Sequence, residues 1–223
     1  TESSTSPAYF MEPTNPPEWP IWWEDAGFQP LAGYHSSLNS NTPVSKDQLE
    51  LLAIGGNAAG LSLRVINLDR FEEELVAIYR LSCESFTDNF LYSPITWEEF
   101  RAMYLPIRSL VKAPFVLLAD DPRRPGELAG FLMALPDANE LRAGKARTLI
   151  LKSMAVHPVL RSLGLGSWLI AQVQESAAAA GMDRIIFALM HDENNSARIS
   201  AKYANVIRRY TLYSRALDAP SHS

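Results

Sequence analysis

The sequence contains a single cysteine, Cys83, in 223 residues. That excludes an internal disulfide and a cysteine-rich metal site, so no metal is expected. One unpaired thiol suits a reducing compartment, which makes the cytoplasm the expected location. No apolar run approaches the ~20 residues needed to cross a bilayer. The opening TESSTSPAYF has neither the basic nor the apolar region of a signal peptide, and no membrane partner is expected. Positive charge is also in short supply, with 20 Lys and Arg against 25 Asp and Glu. A mildly negative field does not gather polyanions, which argues against nucleic acid as the main partner. Because the first residue is Thr, a processed, proteolysed or engineered N-terminus is expected.

Apolar residues make up 47% of the chain, enough to bury the core of one α/β domain with an appendage. Residues 1 to 20 are rich in Pro, Ser and Thr and predict extended or irregular backbone. PIWWEDAGF follows as a short aromatic segment, in which Trp22, Trp23 and Phe28 are expected to pack in the core. A strand is expected near LAGYHSSL, and NSNTPVSKD reads as a linker. The division this suggests is an N-terminal arm and linker over 1–45 and a folded domain over 46–223.

Within the domain the periodicities change in a definite order. LSLRVINL (61–68) alternates as a strand, and FEEELVAIYRLSCESF (71–86) repeats apolar residues at helical spacing. Thr96 is placed to cap a second helix, with Glu98 and Glu99 in its first turn. APFVLLAD and ELAGFLMAL are apolar strands joined by DPRRPG, a turn sequence, and RTLILKSMAV (147–156) is a third strand. The next helix starts near Gly164, buries Leu165, Leu169, Val173 and Ala177 along one stripe, and ends at Gly181. RIIFALM (184–190), NSARISAKYA (195–204) and VIRRYTLYSRAL (206–217) read as strand, helix and strand. Such an order predicts an α/β (α+β) fold in which a mixed sheet carries helices on both faces.

The informative stretch is VHPVLRSLGLGSWL. A strand ends at Val156, His157-Pro158 turns the chain, and Arg161-x-x-Gly164-x-Gly166 leads into an amphipathic helix. Glycines there let backbone approach a ligand, and the unpaired N–H groups of a helix's first turn favour a phosphate. Arg161 adds forked cationic donors suited to a pyrophosphate. A Walker A loop is excluded because no Gly-Lys-Ser/Thr ending is present. A dinucleotide fingerprint would need Gly-x-Gly-x-x-Gly after the first strand. Taken alone the glycines also suit a strand-to-helix turn used only for packing.

This stretch resembles the GNAT superfamily of acyl-CoA N-acyltransferases, whose pyrophosphate loop is Arg or Gln, two residues, Gly, one residue, Gly or Ala. The element order from 61 to 217 resembles that fold as well. The resemblance implies acetyl-CoA or CoA as co-substrate. Its pyrophosphate would lie on the loop formed by Arg161, Ser162, Leu163, Gly164, Leu165, Gly166 and Ser167, and its pantetheine arm would pair with Met154, Ala155 and Val156. It also implies that Asn194 hydrogen-bonds the coenzyme arm, although Asn is equally a favoured helix N-cap. The expected activity is direct acyl transfer to an amine of a small molecule or peptide. The alternative is a non-catalytic acyl-CoA-binding sensor or scaffold.

The catalytic groups depart from the family. Ala201 stands where many members carry a proton-donating Tyr, and Ile150 where a Glu base is frequent. Tyr203 and Ser200 are the candidate acids, but Tyr203 is about 200° around a helix from position 201 and reads more readily as a packing or surface residue. Lys152, Ser153, Asp137, Asp192 and Glu193 are further candidates near the cleft. Cys83 has no activating arrangement nearby and reads as a buried thiol rather than a nucleophile.

Asn15 precedes Tyr34 by nineteen residues, as Asn194 precedes Tyr213, and each interval contains a helix pattern and then a strand pattern. The N-terminal segment thus resembles the closing elements of another GNAT unit. The partners this leaves open are a preceding unit of the same kind, as in a tandem-GNAT protein, or a second copy of the chain. An unrelated arm packed by its tryptophans fits the segment equally well.

Overall fold

The structure, a computed structural model, describes residues 7–40 and 43–217. The expectations for residues 1–6, 41–42 and 218–223 lie outside the described residues. A seven-stranded mixed sheet runs through the chain. Its strands are β1 (Gln29–Asn39), β2 (Ser62–Val65), β3 (Val116–Asp120), β4 (Leu128–Pro136), β5 (Thr148–Val156), β6 (Arg184–His191) and β7 (Asn205–Ser214). Their order across the sheet is β2-β3-β4-β5-β6-β1-β7, and β5–β6 is the parallel pair.

The helices flank this sheet as the sequence pattern predicts. On one side, α6 (Leu165–Ala179) packs Leu165, Leu169 and Val173, all fully buried, against Leu132, Ala134 and Leu149. On the other, α3 (Phe71–Ser85) and α4 (Trp97–Tyr104) pack Leu75, Ile78 and Phe100 against Phe131, Met133 and Leu135. Residues 131–135 of β4 therefore feed both cores by simple alternation. Thr96 caps α4 as expected, and a reciprocal bond from its backbone N–H to Glu99 completes a capping box.

Four features differ from the sequence reading. Residues 46–58, for which the sequence pattern predicts no element, form helix α2 (Lys46–Ala58), whose first turn is capped by Ser45. Its glycines hide the helical signal but are required by packing. A Cβ on Gly55 would run into the carbonyl oxygen of Leu163, and one on Gly56 into the Trp168 ring.

Residues 29–39, assigned to an arm, form an interior strand. β1 pairs antiparallel with β6 on one side and with β7 on the other. Trp22 and Trp23 are not in the core: α1 (Trp19–Asp25) has no buried residue, and these two side chains are 60% and 40% exposed. The helix precedes the strand at the β7 end of the sheet, beyond the reach of either core. Phe28 is covered instead by the edge of Trp23 and by Arg215. Finally, α7 (Asn195–Ser200) is shorter than the predicted 195–204, because the chain turns at Ser200 to begin β7 at Asn205.

A buried polar network ties the N-terminal segment to this sheet. The Tyr9 hydroxyl bonds the Ser36 hydroxyl at 2.9 Å, and Glu12 accepts from Arg208 Nε at 2.6 Å and from the Tyr210 hydroxyl at 2.7 Å. Burial and these neighbours push the Tyr210 hydroxyl well above its ordinary pKa. It therefore stays a proton donor to Glu12.

Candidate active site

The site begins where two strands part. β5 and β6 are in register from Thr148 opposite Arg184 to Leu151 opposite Phe187, and the pairing stops there. On its other side β5 continues to pair with β4, with Met154 opposite Leu132, Ala155 opposite Phe131 and Val156 opposite Gly130. Met154, Ala155 and Val156 thus keep one backbone edge free of a strand partner. Two irregularities force the parting. Lys152 is the extra residue in β5 between Leu151 and Ser153, which oppose the adjacent Ala134 and Met133, and Leu189 in β6 has a left-handed backbone at φ 46°. The N–H of Leu189 is taken by the Ser36 hydroxyl of β1 at 3.1 Å.

A groove of about 530 Å³ opens along this parting, bordered by Met154, Ala155, Val156, Arg161, Gly166, Asn194, Arg198 and Lys202. After β5 the chain makes a 3-10 turn over Pro158–Leu163, and Gly164 takes a left-handed conformation at φ 73°. That conformation favours glycine. Trp168 N–H donates the first bond of α6 to the Gly164 carbonyl at 3.1 Å. The N–H groups of Leu165, Gly166 and Ser167 therefore precede the helical ladder, at the positive end of a 15-residue helix. A Cβ on Gly166 would lie at ordinary contact distance from Met154, Val156 and Ile199, so this glycine presents backbone to the groove.

Side chains complete the lining. Arg161 donates to the Ser85 carbonyl at 2.9 Å, which anchors the guanidinium beside the groove. Asn194 occupies the N-cap position of α7, yet its side chain makes no capping bond and borders the groove. Of the residues expected at the loop, Arg161 and Gly166 border the groove together with Met154–Val156 and Asn194, whereas Ser162, Leu163, Gly164, Leu165 and Ser167 are not among its lining. The Leu165 side chain is fully buried in the core under α6.

The expected acid candidates are placed differently. Ser200 is fully buried and donates to the Ala197 carbonyl at 3.0 Å. Tyr203 lies in the turn after α7, and neither residue is among those that border the groove. Arg198, Lys202, Ser85, Phe86, Asp88 and Asn89 do border it. The sequence reading missed these, since nothing local in residues 85–89 marks them as neighbours of residue 161. Cys83 is half-buried on α3 and also outside the groove lining.

A second cavity, of about 140 Å³, lies on the α3 side of the same parting. Its walls are Leu135, Ile150, Ala188 and Leu189, its roof is Tyr9, Phe10 and Met11, and Lys152 enters it. Two residues of strand, about 7 Å, separate Lys152 from Met154 in the groove. Ile150, at the position where a carboxylate base would have been expected, is a wall of this cavity.

Among the described residues no cluster of His, Cys, Asp and Glu could hold a metal ion, and no helix is long and apolar enough to cross a membrane. No curated protein sequence matches the chain. In overall structure it is similar to a GCN5-related N-acetyltransferase from Sphaerobacter thermophilus, with a TM-score of 0.62 and 17% identity. That similarity covers 87% of this chain and 55% of that protein. It is also similar to the GCN5-related glucosamine N-acetyltransferase region of a fungal multi-domain β-N-acetylglucosaminidase, with a TM-score of 0.63 and 11% identity over 96% of this chain and 24% of that one. The chain thus spans about half the length of the former and a quarter of the latter. The sequence pattern of the acetyltransferase (GNAT) family matches residues 75–201, more than half of the 223 residues. The chain belongs to the GNAT acetyltransferase family.

Proposed function

We propose that the protein is an acyl-CoA-dependent N-acyltransferase that passes an acyl group, most simply acetyl, directly to an amine. The observation that carries this reading is the backbone edge of Met154–Val156, which has no strand partner and on which the Val156 carbonyl oxygen accepts from Ser85 Oγ at 3.3 Å, beside the unsatisfied N-terminus of α6. The N–H groups from Ser162 to Ser167 and the Arg161 guanidinium would hold a pyrophosphate, and the free strand edge and Asn194 would receive the amides of a pantetheine arm. Bound there, acyl-CoA supplies the acyl group as an activated thioester.

The chain's own contribution is positioning. The amine would enter from the 140 Å³ cavity, and the parted strands would align it with the acyl carbon. Alignment of this kind can provide most of the acceleration without a dedicated acid. With Ser200 bonded to backbone and Tyr203 off the groove lining, proton release through water is the simplest route. Thermal unfolding with acetyl-CoA, followed by a thiol-release assay over a panel of amines, tests the reading. A specific stabilisation by acetyl-CoA and amine-dependent release of CoA thiol are expected. Stabilisation without thiol release for any amine would leave a binding module instead of an enzyme.

The same reading extends to a neighbouring unit. α1-β1 and α7-β7 are both short helix–strand pairs, and their strands pair antiparallel at the edge of the sheet, where Trp22 and Ile21 of α1 are each 60% exposed. A preceding GNAT unit packed over α1 would cover these side chains. A size measurement on the longest natural form of the chain tests this.

A further inference from the structure

Among the described residues, Lys152 is the single charged side chain in the walls of the acceptor-side cavity. The bulge in β5 turns it there, between Ile150, which faces the cavity, and Met154, which faces the groove. Its surroundings are apolar: Phe10, Met11, Leu135, Ile150 and Leu189. The Tyr9 hydroxyl in the roof is engaged by Ser36 and Tyr210, and the Phe10 N–H by Asp137 at 3.2 Å. Among the described residues no carboxylate forms an ion pair with the Lys152 ammonium. An ammonium held against apolar walls without a counter-charge is destabilised, and a ligand that brings the missing anion relieves this.

We infer that the acceptor is a small amine carrying a carboxylate beside an apolar group, the chemistry of an apolar α-amino acid, and that Lys152 pairs with that carboxylate. This rests on the N-acyltransferase reading of the site. Three features fix the ligand class. A cavity of about 150 Å³ holds a molecule of benzene size, which matches a branched or aromatic side chain. Its walls are hydrocarbon, which suits such a side chain and not a sugar. One ammonium, with no second cation and no helix N-terminus among the described lining residues, suits a monoanion, whereas a phosphate group would call for more donors. Burial also pushes the Lys152 pKa below its ordinary value, so a bound carboxylate would draw the proton back onto the amine.

The test uses thermal unfolding of the CoA-loaded protein with 4-methylpentanoate or the neutral 4-methylpentanamide, and then thiol release from acetyl-CoA with leucine or 3-methylbutylamine. Wild type, Lys152→Met and Lys152→Arg are compared, each first checked for stabilisation by CoA. The expected result is a saturable stabilisation by the acid and not by the amide. In turnover, kcat/KM for leucine should fall tenfold to a hundredfold in Lys152→Met, with 3-methylbutylamine little affected and Lys152→Arg partly restoring leucine, as for loss of a charged hydrogen bond. Equal response to acid and amide overturns the inference. So does a loss for both amines in Lys152→Met and Lys152→Arg alike, which would make Lys152 a proton acceptor. Acid-specific, Lys152-dependent binding with no thiol release from any amine would support the anion pocket while overturning the acyltransferase reading.

Discussion

The Glu12 carboxylate meets Arg208 Nε at 2.6 Å, with the two side chains 1% and 7% exposed. This ion pair joins residues 196 positions apart and holds the turn that carries Tyr9, Phe10 and Met11 over the smaller cavity. Removal of one partner leaves the other charge buried, which costs about 3–5 kcal/mol. Glu12→Gln is therefore expected to lower stability in urea unfolding by an amount in that range. It should also raise the acceptor KM more than it weakens CoA affinity, because the groove proposed for CoA does not involve residue 12.

Gly55 packs directly behind the turn over Pro158–Leu163, since a Cβ on it would clash with the Leu163 carbonyl oxygen. Gly55→Ala gains about 1 kcal/mol of helix propensity. The clash is with backbone, which cannot rotate away, and overpacking of this kind costs about 1–3 kcal/mol. Net destabilisation is expected, together with weaker CoA binding as the turn over Pro158–Leu163 is displaced. Calorimetry with CoA on the folded variant checks both.

Gly166→Asp separates binding from folding. An added Cβ there meets only ordinary contacts, so the fold should survive, but a carboxylate enters the groove proposed to hold the CoA pyrophosphate. CoA affinity is expected to fall by more than tenfold. Unchanged affinity in a folded variant would move the coenzyme elsewhere.

The placement of Ser200, Tyr203 and Cys83 predicts small kinetic effects. Tyr203→Phe and Ser200→Ala are each expected to lower kcat by less than about tenfold, well short of the ~100-fold that general acid catalysis contributes. Ser200→Ala should cost about 1 kcal/mol of stability through its bond to Ala197. Cys83→Ala should keep most of the activity. A stable acyl adduct on Cys83 seen by mass spectrometry before acceptor is added would contradict direct transfer.

Acid stability should depend on Asp121. The side-chain hydrogen bond from Arg123 holds its carboxyl at about 2, below the ordinary 3.8. A depressed folded-state pKa contributes stability above the unfolded value and loses it as pH falls through the folded one. The stability gap between wild type and Asp121→Asn should therefore be constant above about pH 5 and close between about pH 4 and pH 2.

The local elements of this protein were legible in its sequence. Strands 116–120, 128–136 and 148–156, helix 71–85, the Thr96 cap and the glycine turn before α6 each follow from period, capping chemistry or a left-handed backbone, which neighbouring residues specify among themselves. α2 was hidden because Gly55 and Gly56 weaken the helical pattern for the sake of contacts with Leu163 and Trp168, more than a hundred residues away. The insertion of β1 between β6 and β7 and the exposure of Trp22 were likewise closed to local reading. Strand order and burial depend on which partner a segment finds, and hydrophobicity does not name the partner. The proposal of a phosphate site at Arg161–Ser167 draws on backbone chemistry of consecutive residues, which a sequence can suggest by itself. The cavity beneath Tyr9, Phe10 and Met11 could not be read. It exists only because a bulge at Lys152, a left-handed Leu189 and the Glu12–Arg208 pair bring four distant segments to one place.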